Sequence, residues 1–211
     1  MICDDASDPR KVPPDERRTR QWVTHADKHG AILRKQAGLG LTERLTPETL
    51  ASIYDVVLLY PEQVQSMTVD DLRLIIGLDA KIWSGMGLSL PEGGALVILN
   101  PQQTPERANV TIMEEIAHLY FKHQPSELIT LPIGTWKRGY NANVEREAYW
   151  TAAAALLPAS VVGRAVWKGR TADSLAQKFG VSRELVEFRM KTLCLWCDYQ
   201  ECQTLEKKKA A

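Results

Sequence analysis

The sequence lacks a net charge, a long apolar run and a high cysteine content. Its 26 basic residues balance 26 acidic residues over 211 positions, which argues against a strongly basic nucleic-acid binder. No apolar run approaches the roughly 20 residues that span a bilayer. Four cysteines are too few for a disulfide-stapled miniprotein. The 45% of hydrophobic and 25% of charged residues are typical of a folded soluble domain.

The first residues show no basic stretch followed by an apolar stretch, which is the pattern of a secretory signal. We therefore expect a cytoplasmic protein with reduced thiols. Cys194, Cys197 and Cys202 follow a C-x₂-C-x₄-C spacing. A zinc knuckle would need a fourth ligand and usually a second paired motif, so the sequence favours ordinary thiols.

Periodicity and end signals predict an α+β chain with strands early and helices late. Pro91-Glu92-Gly93-Gly94 is turn chemistry between two β-prone segments, 82–90 and 95–99, and predicts a hairpin. The run 56–60 fits either a short buried strand or a helix end. The predicted helices cover about 17–36, 69–78, 105–123, 143–157, 159–168, 172–179 and 183–196.

One predicted helix carries most of the chemistry. Between Val110 and Phe121 its polar residues are Thr111, Glu114, Glu115 and His118, which form one narrow stripe. Glu114 and His118 are one turn apart, roughly 6 Å along the axis, so the pair can bind one metal ion. Glu115 lies beside them, within reach of a water on that metal. The arrangement is that of the zinc-peptidase signature His-Glu-x-x-His, except that the first ligand position is Glu.

A third ligand must come from another segment. Glu145 lies at the start of the predicted helix 143–157, which continues through Ala152–Ala155. Because alanine side chains are small, another helix can approach this one closely. A carboxylate at position 145 would complete a three-ligand site and leave one position open for water.

Residues from about 94 to 193 resemble the ImmA/IrrE-type metallopeptidases, which are gluzincin-like zinc enzymes. The resembling segments, in chain order, are Val97-Ile98-Leu99-Asn100-Pro101, Arg107, Glu114-Glu115-Ile116-Ala117-His118, Glu145-Arg146-Glu147-Ala148 and Leu156-Leu157-Pro158.

The resemblance implies a role for each matching residue. Glu114, His118 and Glu145 would hold Zn²⁺, and Glu115 would polarise the nucleophilic water. The implied fold is a zincin-like peptidase domain, with a small sheet in the first half and a helical second half. The implied substrate is a repressor that controls a mobile element or a stress response.

The domain organisation follows from the same pattern. We expect a disordered tail over 1–20, the metallopeptidase-like domain over 21–170, and a helix-turn-helix-like unit over 171–197 packed on it. Residues 203–211 are expected to form a flexible end.

Three departures from the family pattern bear on activity. Glu114 stands where the family usually has His, Tyr149 where it has Asn or Asp, and Thr151 where it has Phe. A second carboxylate in place of an imidazole makes the ligand set harder, which favours Mn²⁺ relative to Zn²⁺. A metal-free or catalytically silent protein that binds a regulatory partner is therefore the alternative to a protein-cutting peptidase.

A second alternative is DNA binding by the unit over 171–193. In that case Arg183, Glu187 and Met190 would face the groove. The acidic side chains of Glu184 and Glu187 oppose contact with phosphates, so the sequence favours packing over DNA binding.

Two further expectations concern the substrate and the other histidines. The predicted strand 95–99, with Val97 and Leu99, would pair as an edge strand with an extended substrate. His123 follows His118 by five residues and is expected to point away from the stripe, at the surface or the helix end. His25 and His29 are an i, i+4 pair for which no carboxylate partner is evident, so an exposed helix face is expected.

Overall fold

The computed structural model describes residues 16–73, 83–90, 93–124, 128–130, 136–138 and 141–210, which form an α+β fold. The helices are α1 (Glu16–Gln36), α2 (Pro47–Ile53), α3 (Val69–Arg73), α4 (Pro105–Phe121), α5 (Ala142–Leu156), α6 (Ala159–Trp167), α7 (Ala172–Phe179), α8 (Arg183–Thr192) and α9 (Trp196–Ala210). The strands are β1 (Val56–Leu59), β2 (Gly85–Ser89), β3 (Ala95–Leu99), β4 (Leu128–Thr130) and β5 (Trp136–Arg138).

The main sheet has three strands in the order β1-β3-β2. β1 runs parallel to β3, with Val56 opposite Ala95, and β2 runs antiparallel to β3, with Gly85 opposite Leu99. The predicted hairpin is therefore confirmed, and the run 56–60 contains a strand that ends at Leu59. A second sheet pairs β4 with β5, two strands of three residues that the sequence did not predict.

The expectation that β3 is an edge strand is wrong. Both of its sides are hydrogen-bonded to neighbours, because β1 and β2 flank it. Val97 is fully buried and Leu99 is 5% exposed, so neither side chain is available to a substrate. Among the described residues, the strands at the edges of this sheet are β1 and β2.

Helix α4 begins and ends as local chemistry requires. The Thr104 side chain accepts a hydrogen bond from the Arg107 backbone N–H, and Pro105 occupies the first turn, where its missing N–H costs nothing. Lys122 adopts a left-handed conformation (φ 55°) that ends the helix. The face with Ile112, Met113 and Ile116 is buried.

Helix α5 is the central support of the fold. Its run Ala152–Ala155 is buried and forms the surface on which α1 packs. A Cβ added at Gly30 would lie 2.7 Å from the backbone N of Ala155, so the two helices touch nearly backbone to backbone. The buried Arg34 guanidinium donates to the Ala155 carbonyl at 2.7 Å. The expected close approach of another helix is thus made by α1.

The C-terminal helices pack as a layer on this core. Gly180 (φ 63°) turns the chain between α7 and α8, and Ser182 caps α8. The Asn109 side chain donates to the Gly180 carbonyl at 2.8 Å, which fixes this turn to α4. Met190, which a groove-facing α8 would expose, is fully buried.

The predicted helix 183–196 is too long. It ends at Thr192, and Cys194 takes a positive φ of 58°, so that a separate helix starts at Trp196. No glycine or proline marks this break, so the sequence offered no stop signal. Residues 203–210 belong to α9, and their assignment to a flexible end stays a prediction.

The N-terminal expectations are tested in part. Helix α1 matches the prediction for 17–36 and includes residues 16–20 of the predicted tail, while residues 1–15 lie outside the described range. The predicted helix 69–78 is described only to Arg73, and Ile82 of the predicted strand is also outside. None of the helices in the described ranges is long and apolar enough to cross a bilayer.

Candidate metal centre

Two helices bring three potential metal ligands together. One ligand atom each from Glu114, His118 and Glu145 lies within 4.8 Å of the others. His118 Nε2 is 3.5 Å from Glu145 Oε2. In the part of the chain that the structure describes, this is the one such group of His, Cys, Asp and Glu side chains. The three residues predicted to hold a metal therefore converge, although their ligation of a metal remains a prediction.

The local sequence accounts for this placement. Glu114 and His118 are four residues apart on α4 and project from the same face. The Asn141 side chain accepts hydrogen bonds from the backbone N–H groups of Asn143 and Val144, which starts α5 and puts Glu145 in its first turn. Packing of α4 on α5 then brings the two faces together.

The charges around His118 favour its protonated form. Burial opposes a charge on the ring, but the hydrogen bond and charge of Glu145, followed by the charges of Glu115 and Glu114, outweigh it and raise the pKa of His118. The side chains of His118 and Glu145 are 21% and 18% exposed. The cluster thus attracts positive charge from a half-buried position, where a proton and a metal ion would compete.

Glu115 lies against strand β2. A Cβ added at Gly87 would overlap the Glu115 carboxylate, and one added at Gly85 would lie 2.6 Å from Thr111 Cγ2. Glycine at these two positions therefore lets the strand pass directly over the polar stripe of α4. The Glu115 carboxylate thus lies against β2, and its charge also acts on His118, while its role as a general base stays a prediction.

The donor set fits a divalent metal. Two carboxylates and one imidazole are ligands that Zn²⁺ and Mn²⁺ both accept, and the spacing of less than 5 Å between their atoms is that of a single ion's shell. The structure thereby supports a divalent metal in general, and the choice between Zn²⁺ and Mn²⁺ belongs to the proposal below.

The position of His123 beside His118 was misjudged from the sequence. His123 does not point away, because the left-handed Lys122 turns the chain back and brings His123 Nδ1 to 3.0 Å from His118 Nδ1. Its side chain is only 9% exposed. On the far side of the His123 ring, Nε2 lies 2.9 Å from Glu147 Oε2.

The pair His25 and His29 also has partners that the sequence did not reveal. His25 Nε2 lies 2.7 Å from Glu147 Oε1, although its direction is not that of a hydrogen bond. His29 Nδ1 lies 2.6 Å from the Tyr120 hydroxyl. Burial, and next the charge of His25, lower the pKa of His29. The expectation of an exposed face without a carboxylate partner is thus wrong.

The sequence contained one signal for these residues. All four histidines of the chain belong to this region, and Glu147 stands inside the Glu145-Arg146-Glu147-Ala148 segment. Because their contacts join α1, α4 and α5 across long sequence distances, spacing alone did not connect them.

The cysteines and the α7–α8 turn offer no comparable site. Cys194, Cys197 and Cys202 are free thiols, and none belongs to a metal-binding group within the described ranges. Arg183 is held by Asp173 at 3.0 Å and by Glu187 at 2.9 Å.

Comparison with known proteins agrees with this geometry. Residues 74–191, more than half of the chain, match the family described as the IrrE N-terminal-like domain (Peptidase_M78). No curated protein matches the chain. The matched segment contains the three converging residues and Glu115, and the family supports a metallopeptidase-like function with a divalent metal. The chain belongs to the IrrE N-terminal-like domain family, the same ImmA/IrrE family that its motifs resemble.

Proposed function

We propose that this protein is a cytoplasmic metal-dependent endopeptidase that cuts a DNA-binding regulator. The observation that carries the proposal is the convergence of Glu114, His118 and Glu145 within 4.8 Å, beside Glu115. The nature of the substrate rests on resemblance alone, through family members that cleave repressors of a mobile element or a stress response.

The proposed chemistry assigns one task to each group. Glu114, His118 and Glu145 would hold Zn²⁺ or Mn²⁺, which when bound supplies Lewis-acid activation. The Glu115 carboxylate accepts a proton as water adds to the peptide carbonyl. It then delivers that proton to the leaving nitrogen as the C–N bond breaks.

Strand β2 is the element best suited to align a substrate. It pairs with β3 on one side, and within the described residues no strand occupies its other side. A peptide added to that side would run next to Gly87, and thus next to Glu115. Backbone pairing aligns an extended chain whatever its side chains are.

A silent homologue that binds a regulator without cutting it is the second candidate, and Glu114 favours it. A second carboxylate among the residues that would hold the metal adds negative charge, which would weaken the Lewis-acid activation that the metal supplies. DNA binding by α8 is disfavoured, because Met190 is buried and Arg183 is already paired with acids.

The test combines metal analysis with one isosteric change. The protein is purified without chelator, loaded with Zn²⁺ or Mn²⁺, and assayed for bound metal and for cleavage of a quenched-fluorescence peptide library. We expect one ion per chain. Glu115→Gln should keep the metal and lose about 10²–10⁴-fold in cleavage rate, which is the usual contribution of a general base.

The outcomes separate the candidates. Bound metal with no cleavage by either protein would favour the silent homologue. A wild-type protein that retains neither metal would overturn the proposed peptidase and favour a metal-free homologue that binds a regulator. Glu187→Gln, on helix α8, is the control because the Glu187 side chain pairs only with Arg183 among the described contacts and does not belong to the cluster.

A further inference from the structure

The ring of His118 has two differently occupied sides. Its Nε2 faces the carboxylate of Glu145 at 3.5 Å, on the side of the ligand cluster. Its Nδ1 faces His123 Nδ1 at 3.0 Å. A histidine that binds a metal normally donates its other ring N–H to an acceptor, which fixes the orientation of the ring.

We propose that His123 and Glu147 are positioning residues that hold His118 in its metal-binding orientation, with His25 of α1 as the outermost member. This inference rests on the proposed function only in that a metal occupies the cluster. It gives a role to His25, His123 and Glu147, for which the His-Glu-x-x-His motif provides none.

The order of protons along this chain follows from one assignment. If Nε2 of His118 binds the metal, its proton must be on Nδ1, and this N–H donates to His123 Nδ1. His123 then carries its own proton on Nε2, which lies 2.9 Å from Glu147 Oε2. A carboxylate only accepts hydrogen bonds, so this direction gives a donor and an acceptor to each contact from His118 through His123 to Glu147.

Packing holds the His123 ring in place for this role. The ring stacks on Phe121, with centroids 5.4 Å apart, and is 5.0 Å from the His118 ring in an edge-on arrangement. The His123 backbone N–H donates to the His118 carbonyl at 2.9 Å. A residue placed by both its backbone and its ring can orient a neighbour without rearranging.

Helix α1 contributes from outside the family segment. The matched residues begin at position 74, whereas His25 lies on α1 and its Nε2 is 2.7 Å from Glu147 Oε1. The His25 ring also stacks on Phe121, with centroids 5.6 Å apart. Glu147 is therefore held between one histidine of the family segment and one from outside it.

The experiment measures metal affinity and ring protonation rather than cleavage. Zn²⁺ dissociation constants are obtained by competition with a chromophoric chelator for the wild type and for His123→Phe, His123→Asn, Glu147→Gln and Glu187→Gln. We expect His123→Phe and Glu147→Gln to weaken Zn²⁺ binding about 10–100-fold, as outer-shell changes do. Asn at position 123 carries an oxygen near the place of Nδ1, so it should recover part of the loss.

Two further readouts distinguish positioning from simple stability. The chain has only four histidines, so their ¹⁵N NMR signals in the Zn²⁺-loaded protein can be assigned by substituting one histidine at a time. We expect His123 to carry its proton on Nε2. Bound Co²⁺ should show a changed visible spectrum in His123→Phe. Circular dichroism of the metal-free variants checks that each is folded.

The outcomes bear separately on the two proposals. A wild type that binds no metal overturns the proposed function. A wild type that binds Zn²⁺ with unchanged affinity and Co²⁺ spectrum in His123→Phe and Glu147→Gln overturns the positioning role alone. An equal loss of affinity in Glu187→Gln, or a proton on His123 Nδ1, would also overturn it.

Discussion

Acidic side chains play different parts at two helix junctions of the molecule. At the junction of α4 and α5, Glu114 and Glu145 converge on one histidine within 4.8 Å. At the junction of α1 and α8, Asp27 meets the fully buried Arg189 at 2.5 Å. The second arrangement closes a charge pair, whereas the first collects charges of one sign and raises the pKa of the histidine among them. Acidic side chains that converge without a matching base indicate a binding site for a cation, whereas a matched charge pair indicates a contribution to the stability of the fold.

The largest expected effect tests the charge pair between Asp27 and Arg189. Asp27→Asn would leave the buried Arg189 without its countercharge and should lower the free energy of unfolding by about 3 kcal/mol, the lower end for a buried pair because Asp27 is a quarter exposed. Urea unfolding measures this change. Asp173→Asn breaks the exposed pair with Arg183 and should cost about 0–1 kcal/mol. We expect folded Asp27→Asn to bind Zn²⁺ with the affinity of the wild type. A weaker affinity would show that the Asp27–Arg189 pair also supports the cluster, which would contradict the comparison.

The next effect concerns the close contact between α1 and α5 at Gly30 and Ala155. Gly30→Ala would push α1 off the backbone of Ala155 and should destabilise the protein by about 1–3 kcal/mol. Gly163→Ala is the matched control in another helix, because nothing lies within 4 Å of its added Cβ. That control should stabilise by about 0.5–1 kcal/mol. Thermal unfolding of the two variants should therefore shift in opposite directions, and shifts of the same sign would contradict the close approach of α1.

A third prediction tests whether Glu114 of the cluster binds the metal. Glu114→His replaces a hard ligand by an imidazole and should raise the preference for Zn²⁺ over Mn²⁺ by roughly tenfold, or about 1.4 kcal/mol. Competition titrations with both metals measure the ratio. An unchanged ratio would mean that position 114 does not contact the metal.

The smallest effect is the pH dependence of the metal-free protein. Because the folded pKa of His118 is raised above its ordinary value of 6.5, its contribution to stability is fully present below that value and is lost as pH rises through the folded pKa. Melting temperatures measured in chelator from pH 5 to 9 should show this loss. His118→Gln should remove that part of the slope, whereas an identical slope would contradict the shift.

The sequence predicted the local features and missed those that depend on distant contacts. Thr104, Pro105 and the polar stripe predicted helix α4, since caps and periodicity act within a few residues. The central place of β3 was missed because strand order depends on β1, some forty residues earlier. The inward turn of His123 was missed because nothing in the sequence announces a left-handed Lys122, and the break at Cys194 was missed for the same reason.

Helix α1 also has a consequence for how the chain acquires its structure. Its hydrogen bond from Arg34 to Ala155 spans 121 residues, so α1 must wait for α5 to leave the ribosome before it can pack. Loop closure over such a distance slows folding, and during synthesis the unpaired apolar face of α1 is exposed to other nascent chains. The cluster of Glu114, His118 and Glu145 can likewise assemble only after the chain has been made as far as Glu145 in α5.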